Sequence, residues 1–233
     1  VRQVNRSALQ DDAVRKAVRA AGYGHLLLTD QQLAHSLRTT LAQRTPGEPV
    51  WIFGYGSLVW SPMFEYAERR VARLRGYHRG FYLWSRINRG SPDVPGLVLG
   101  LDRGGSCGGM AYRLSDEGLI EELDLLWRRE MLTGTYQPRW TTVETHDRRV
   151  RAIAFVVDRS KPGYAGRLTD QQILATVARA RGHYGTCTDY LTQTALTLER
   201  HGIADRRLSR LARLIAQQTR NQDGQSPVEI PSG

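Results

Sequence analysis

The sequence predicts an α+β domain with a twisted or barrel-like sheet, and the order of its hydrophobic periods carries that prediction. Apolar residues recur at helical spacing before residue 44, at strand spacing between Val50 and residue 157, and at helical spacing again beyond Thr169. One helical stretch interrupts the strand region, so strands and helices do not alternate as they would in a doubly wound parallel sheet.

The elements follow in order. Residues 7–21 and 29–44 read as helices, the second behind Thr29 as N-cap, with Leu33, Leu37 and Leu41 on one face. "RTPGEP" (44–49) ends that pattern as a linker. Strands are expected at 50–54, 70–75, 79–85, 96–101, 107–114, 139–146 and 150–157, set apart by glycine, proline and aspartate. "HDRRV" (146–150) should turn the last two into a hairpin. A helix is expected at 115–131, opened by Ser115-Asp116-Glu117 as cap and acidic first turn. Three more follow at 169–181, 187–200 and 205–219. These boundaries suggest a helical extension (1–48), a main domain (49–220) and a polar tail (221–233).

Composition narrows the function classes. A chain of 233 residues, 40% hydrophobic and 24% charged, suits an ordinary globular protein of one or two domains. No apolar run reaches the roughly 18 residues of a membrane-spanning helix. The first residues are too polar for a secretory leader, so the cytoplasm is the expected location. Cys107 and Cys187 stand alone, and the six histidines lack metal-ligand spacing, so neither a disulfide framework nor a metal site is expected.

The net charge of +10 raises the question of nucleic acid. The basic residues are nearly all arginine and mostly scattered, with clusters at 68–79 and 205–213. Arg206, Arg210 and Arg213 recur at helical spacing, as on a solvated face. No aromatics interleave with them, so nucleic acid is not an expected partner.

Glu130 is the most informative residue. On a wheel of the 115–131 helix, Leu119, Ile120, Leu123, Leu126, Trp127 and Met131 fill a sector of roughly 140°. Glu121 and Arg128 lie opposite, but Glu130 falls about 20° from Leu119, inside the apolar sector. Burial there, together with a place in the last helical turn, raises a carboxyl pKa. A general base working near neutrality needs such a shift. A buried arginine partner is the alternative explanation.

The second feature is "VWIFGYGSLVW" (50–60), in which Gly54 and Gly56 flank Tyr55 after an apolar strand. Two missing β-carbons let a ligand approach backbone N–H groups, although a plain turn has the same composition. The loop is neither a Walker A sequence nor a dinucleotide fingerprint. Arg89, in a turn-rich loop, is placed to clamp a carboxylate. Tyr190 reads as a half-buried helix residue and a possible substrate contact. No catalytic triad suggests itself around Ser57 or either cysteine.

Taken together, "VWIFGYGSLVWSP", "PG" ahead of a strand, "GGMAYRL" (108–114) and "LLWRREMLTGTYQPRW" (125–140) resemble the ChaC-type γ-glutamylcyclotransferases of bacteria. The resemblance implies a γ-glutamylcyclotransferase-like mixed β-barrel with surrounding helices. It also implies cleavage of glutathione to 5-oxoproline and cysteinylglycine without a cofactor. Glu130 matches the family's catalytic glutamate, and Ile52, Phe53, Gly54, Tyr55, Gly56, Ser57 and Leu58 match its substrate-binding loop. Arg89 and Tyr190 fall in segments typical of the family. Thr186, Cys187 and Thr188 depart from it, in a stretch where family members carry asparagine. The same chemistry on other γ-glutamyl amines, or a non-enzymatic basic binding module, are the competing expectations.

Overall fold

A computed structural model of the chain describes residues 6–223. The strand-spaced region closes into a barrel in the order β1-β3-β2-β4-β5. β1 (Trp51–Gly54) lies antiparallel to β3 (Gly96–Leu114) and parallel to β5 (Arg149–Val157). β2 (Tyr66–Ser85) pairs with β3 over almost its whole length, and β4 (Tyr136–Glu144) joins β2 to β5. The barrel is therefore mixed, and the class is α+β, as the sequence indicated.

Four expected short strands are in fact two long ones. Segments 70–75 and 79–85 merge into β2, and segments 96–101 and 107–114 merge into β3. The intervening glycines act as bulges because the partner strand continues past them. Gly76 takes φ +82° where the register slips between Arg75 and Tyr77, and Gly104 takes φ +100° inside β3. The β4–β5 turn comes earlier than expected, with Thr145 N–H donating to the Arg148 carbonyl at 2.8 Å.

The helices differ mainly at their ends. The expected 7–21 helix divides into α1 (Arg6–Gln10) and α2 (Ala13–Ala20), because Asp12 adopts φ +58° between them. α3 (Asp30–Leu41) starts behind Thr29 in a capping box with Gln32. α4 (Leu119–Glu130) is capped by Gly118 at φ +70°, so Ser115-Asp116-Glu117 form a turn ahead of the helix rather than its first turn. α5 (Asp170–Arg179), α6 (Cys187–Arg200) and α7 (Arg206–Asp223) complete the set. A small hairpin of β6 (Arg181–Gly182) and β7 (Gly185–Thr186) lies between α5 and α6. Residues 221–223 of the expected polar tail continue α7, and 224–233 lie outside the described residues.

The position of α4 governs the site. Its fully buried Trp127 meets Phe155 of β5 edge-on at 5.4 Å, and its indole N–H reaches Ser36 of α3 at 3.2 Å. A buried tryptophan of this kind contributes about 3–5 kcal/mol when compared with alanine. The C-terminal end of α4 is thereby fixed over the barrel. The buried face of the helix is turned away from the expected sector, toward Glu122 and Leu125, so Ile120, assigned to that sector, is 56% exposed. Glu122 is buried instead, held by both Arg6 guanidinium nitrogens at 2.8 Å.

Candidate active site

The loop after β1 is built from inside outward. Ile52 and Phe53 are completely buried in the barrel, so they contribute backbone and packing rather than a side-chain surface. A β-carbon on Gly54 would stand 3.0 Å from Leu58 Cβ and 3.2 Å from the Tyr112 ring, so glycine keeps the loop folded tightly on itself. Tyr112 Oη donates to the Leu58 carbonyl at 2.9 Å and fixes the far side of the loop. The buried Tyr55 hydroxyl donates to the Phe155 carbonyl at 2.7 Å, while the Tyr55 carbonyl accepts from Arg79 at 2.8 Å. Arg79 is itself buried and paired with Asp205.

Gly56 has φ −123°, which other residues also adopt, so handedness is not why it is glycine. Space is the reason: a β-carbon there would lie 3.1 Å from Tyr190 Oη. Ser57–Val59 then form one 3₁₀ turn, closed by Val59 N–H to the Gly56 carbonyl at 3.0 Å. The N–H groups of Gly56, Ser57 and Leu58 have no backbone acceptor among the described residues. Of the three residues, Ser57 lines the cavity.

Glu130 is the last residue of α4 and its side chain is 13% exposed. Burial pushes its pKa up, and the neighbouring Arg129, with Nε 3.2 Å from Glu130 Oε1, offsets part of that rise. The arginine partner considered from sequence is thus present, but it does not cancel the effect of burial. Arg129 also donates to Ser57 Oγ at 2.9 Å and to the Ser61 carbonyl at 2.5 Å. It ties the glutamate to the glycine loop across 72 positions of sequence.

Arg89 is 5% exposed and lies between the rings of Trp60 and Tyr190, at 5.9 and 5.6 Å from their centroids. Its guanidinium donates to the Tyr184 carbonyl at 2.7 Å. Among the described residues it has no carboxylate partner, and burial lowers its pKa. Tyr190 Oη accepts from Leu99 N–H at 3.2 Å, which leaves its own proton free to donate. Burial, together with the charge of Glu130, pushes Tyr55, Tyr136 and Tyr190 upward, so all three stay neutral donors.

Ser57, Arg89, Glu130 and Tyr190 line one cavity of about 550 Å³ together with Arg129 and Tyr136. The remaining expected loop residues, Ile52 to Gly56 and Leu58, stand behind that wall. Arg79, Arg129 and Tyr136 were not singled out from sequence. Arg79 sits in a basic cluster that looks solvated, and its buried partner Asp205 is 126 residues away. Only the adjacency of Arg129 to Glu130 offered a signal. The departure at 186–188 has a structural explanation: Thr186 is the N-cap of α6, and Cys187 Sγ donates to the Leu97 carbonyl at 3.0 Å.

A second cleft, of about 620 Å³, is lined by Trp51, Arg113, Arg148, Arg149 and Arg151. Each of these arginines pairs with a glutamate, Glu48, Glu68 or Glu144, although Arg70 and Arg75 share the last two. Among the described residues no three His, Cys, Asp or Glu side chains gather as metal ligands, and no helix is long and apolar enough to cross a membrane.

The family model of ChaC-like proteins matches residues 50–218. The glutathione-specific gamma-glutamylcyclotransferase of Escherichia coli K12 is 44% identical over 181 residues, 77% of this chain and 78% of that protein. The mouse glutathione-specific gamma-glutamylcyclotransferase 1 is 38% identical over 156 residues, 64% of this chain and 70% of the relative. Among solved structures, a yeast γ-glutamyl cyclotransferase specific to glutathione superposes with a TM-score of 0.68 at 20% identity, covering 73% of this chain and 97% of that one. This last likeness concerns the fold.

Proposed function

The chain belongs to the ChaC-like protein family, and we infer that it is a γ-glutamylcyclotransferase that splits glutathione into 5-oxoproline and cysteinylglycine. The observation that carries this reading is a charge arrangement. One cavity holds a buried carboxylate of raised pKa and, apart from it, a buried guanidinium without a carboxylate. A γ-glutamyl head group, with its α-ammonium and α-carboxylate, supplies the complement to both.

In the mechanism we propose, Arg89 binds the α-carboxylate, and Glu130 accepts a proton from the α-ammonium. The freed amine attacks the γ-amide carbonyl of the same molecule, forming the ring C–N bond and placing negative charge on the carbonyl oxygen. The Ser57 N–H stabilises that oxyanion, with the Tyr190 hydroxyl as a further donor. Glu130 then returns its proton to the cysteinyl nitrogen as the original amide C–N bond breaks, and the second proton of the ring nitrogen, made acidic by the attack, passes by the same carboxylate to the departing amine, which leaves as an ammonium. Because the nucleophile belongs to the substrate, the enzyme starts from a high effective molarity, worth on the order of several kcal/mol. No cofactor takes part.

Residues 49–220 make up the cyclotransferase domain in this reading, with 1–48 as an extension to it. The two cysteines, both buried and unpaired, suit the reducing cytoplasm that we propose as the location. The direct test is to incubate the protein with glutathione and measure 5-oxoproline and cysteinylglycine. Absence of both products, with γ-glutamyl amines and dipeptides equally inert, would remove the reading.

A further inference from the structure

The catalytic cavity extends well beyond the groups that a γ-glutamyl head requires. Its other half is walled by the N-terminal extension, through Leu9, Val14, Val18 and Leu27, and by two loops that carry Arg86 and Lys161. The extension lies outside the span matched by the family model, which begins at residue 50. It is anchored along the same helix that carries Glu130. Arg6 grips Glu122 near the start of α4, and Leu28 N–H donates to the Leu132 carbonyl, just past its end, at 2.9 Å.

The two loops are joined to each other. Trp84 N–H donates to the Gly163 carbonyl at 2.9 Å, Ala165 N–H donates to the Tyr82 carbonyl at 2.8 Å, and Leu83 bridges Tyr164 in antiparallel register. Lys161 opens the turn that leads into this pairing, with Tyr164 N–H donating to its carbonyl at 2.9 Å, and both Arg86 and Lys161 line the cavity. Neither side chain forms an ion pair among the described residues. Asp158, on the same loop as Lys161, accepts from Gln137 at 3.0 Å and from the Ser160 hydroxyl at 2.7 Å, and feels the Lys161 charge without forming an ion pair with it. Two cations outside any ion pair thus line the cavity that also holds Arg89 and Glu130.

We propose that Arg86 and Lys161 form a subsite for a carboxylate at the far end of the leaving amine. The enzyme then prefers γ-glutamyl peptides, whose departing portion ends in a carboxylate, over neutral γ-glutamyl amines. The proposal rests on the cyclotransferase reading and adds the selection of substrate class to it. The apolar wall from the extension lowers the local dielectric and strengthens that charge recognition.

The test compares glutathione with glutathione amidated at its glycine carboxylate, using the whole chain and its Arg86→Ala/Lys161→Ala variant. Wild-type protein should process glutathione with a kcat/KM about tenfold or more above that of the amide, the difference residing in KM, as charge-assisted hydrogen bonds to one carboxylate provide. In the double variant the ratio should collapse toward one, and Arg86→Lys should restore part of it. Both positions line the cavity, and the thermal midpoint of the variant checks that folding is intact. A general loss of stability would lower both substrates together and leave the ratio standing, which would overturn the subsite. Equal handling of acid and amide by wild-type protein would overturn it as well, with the cyclotransferase reading intact. Failure to release 5-oxoproline from either compound would remove both.

Discussion

Glu130→Gln isolates the proton-transfer step, because the amide keeps the shape of the carboxylate and loses its basicity. A positioned general base contributes about 10²–10⁴ to a rate, and Glu130 acts twice, first as base and then as acid. A fall in kcat of about 10³–10⁴ is therefore expected, equivalent to about 4–5.5 kcal/mol of barrier. Stability should move the other way. Glutamine gives up only the 3.2 Å contact with Arg129, which keeps the Ser57 hydroxyl and the Ser61 carbonyl. In exchange, the cost of burying a charge disappears.

The pH dependence has a defined sign. Burial raises the folded-state pKa of Glu130 above the ordinary glutamate value of 4.5. The folded protein therefore holds this proton more tightly than the unfolded chain does. The stability that this gives is fully present below the ordinary value and is lost as pH rises through the folded pKa. Relative to wild type, the glutamine variant should gain stability from pH 4 upward and level off above that pKa. Thermal unfolding across pH measures this, and chromatographic detection of 5-oxoproline measures turnover. The wild-type kcat/KM should rise with pH along a limb set above the ordinary glutamate range, and the variant should lack that limb. A variant that turns over glutathione at the wild-type rate would refute the assignment of the base.

Arg89→Ala should raise KM for glutathione at least tenfold, because the buried guanidinium meets the α-carboxylate; steady-state kinetics checks this. Gly56→Ala places a β-carbon 3.1 Å from Tyr190 Oη, so it should destabilise the fold by about 1–2 kcal/mol. Adding Tyr190→Phe should recover most of that loss, and a double-mutant cycle in denaturant would detect the coupling. Arg6→Ala should cost about 1 kcal/mol at neutral pH, since Arg6 is partly exposed although Glu122 is not. Arg6 holds the pKa of Glu122 below 4.5, so the deficit of the alanine variant should shrink as pH falls through that range, as seen in thermal melts. Burial pushes both Cys107 and Cys187 up to about 11, so neither should react with a thiol reagent at neutral pH until the protein unfolds.

Periodicity was enough to reveal the barrel's strands, the helix that ends at Glu130 and the anomaly of a carboxylate on its apolar sector. All three are local features, expressed within one turn or one strand. Local breakers misled where a partner strand overrode them. Gly76 and the Gly104-Gly105 pair look like turns, yet β2 and β3 run through them because each supplies the other's hydrogen bonds. The wheel of α4 failed at Ile120 because the N-terminal segment, distant in sequence, covers the Leu125 side of the helix instead. Arg79, Arg129 and the Arg86–Lys161 pair were hidden among 33 basic residues. What distinguishes them is the presence or absence of a partner distant in sequence, a property that no local pattern encodes.

The electrostatics of the cavity also explain how a carboxylate deprotonates an ammonium at all. In water a free α-amino group holds its proton about 3.5 pKa units more tightly than a glutamate, so the transfer costs about 5 kcal/mol. Inside the cavity the transfer converts an ion pair into two neutral groups, and burial favours the neutral side. The raised pKa of Glu130 is one half of that effect, visible before substrate enters. The other half falls on the substrate amine, which loses its hydration in the same place. Arg129 works against that rise, so the shift is smaller than burial alone would give. A stronger shift would leave the glutamate protonated and useless as a base, and a weaker one would make the transfer too costly. The pairing of Glu130 with its own neighbour, which from sequence looked like a reason to doubt its role, acts on that balance from the side opposite to burial.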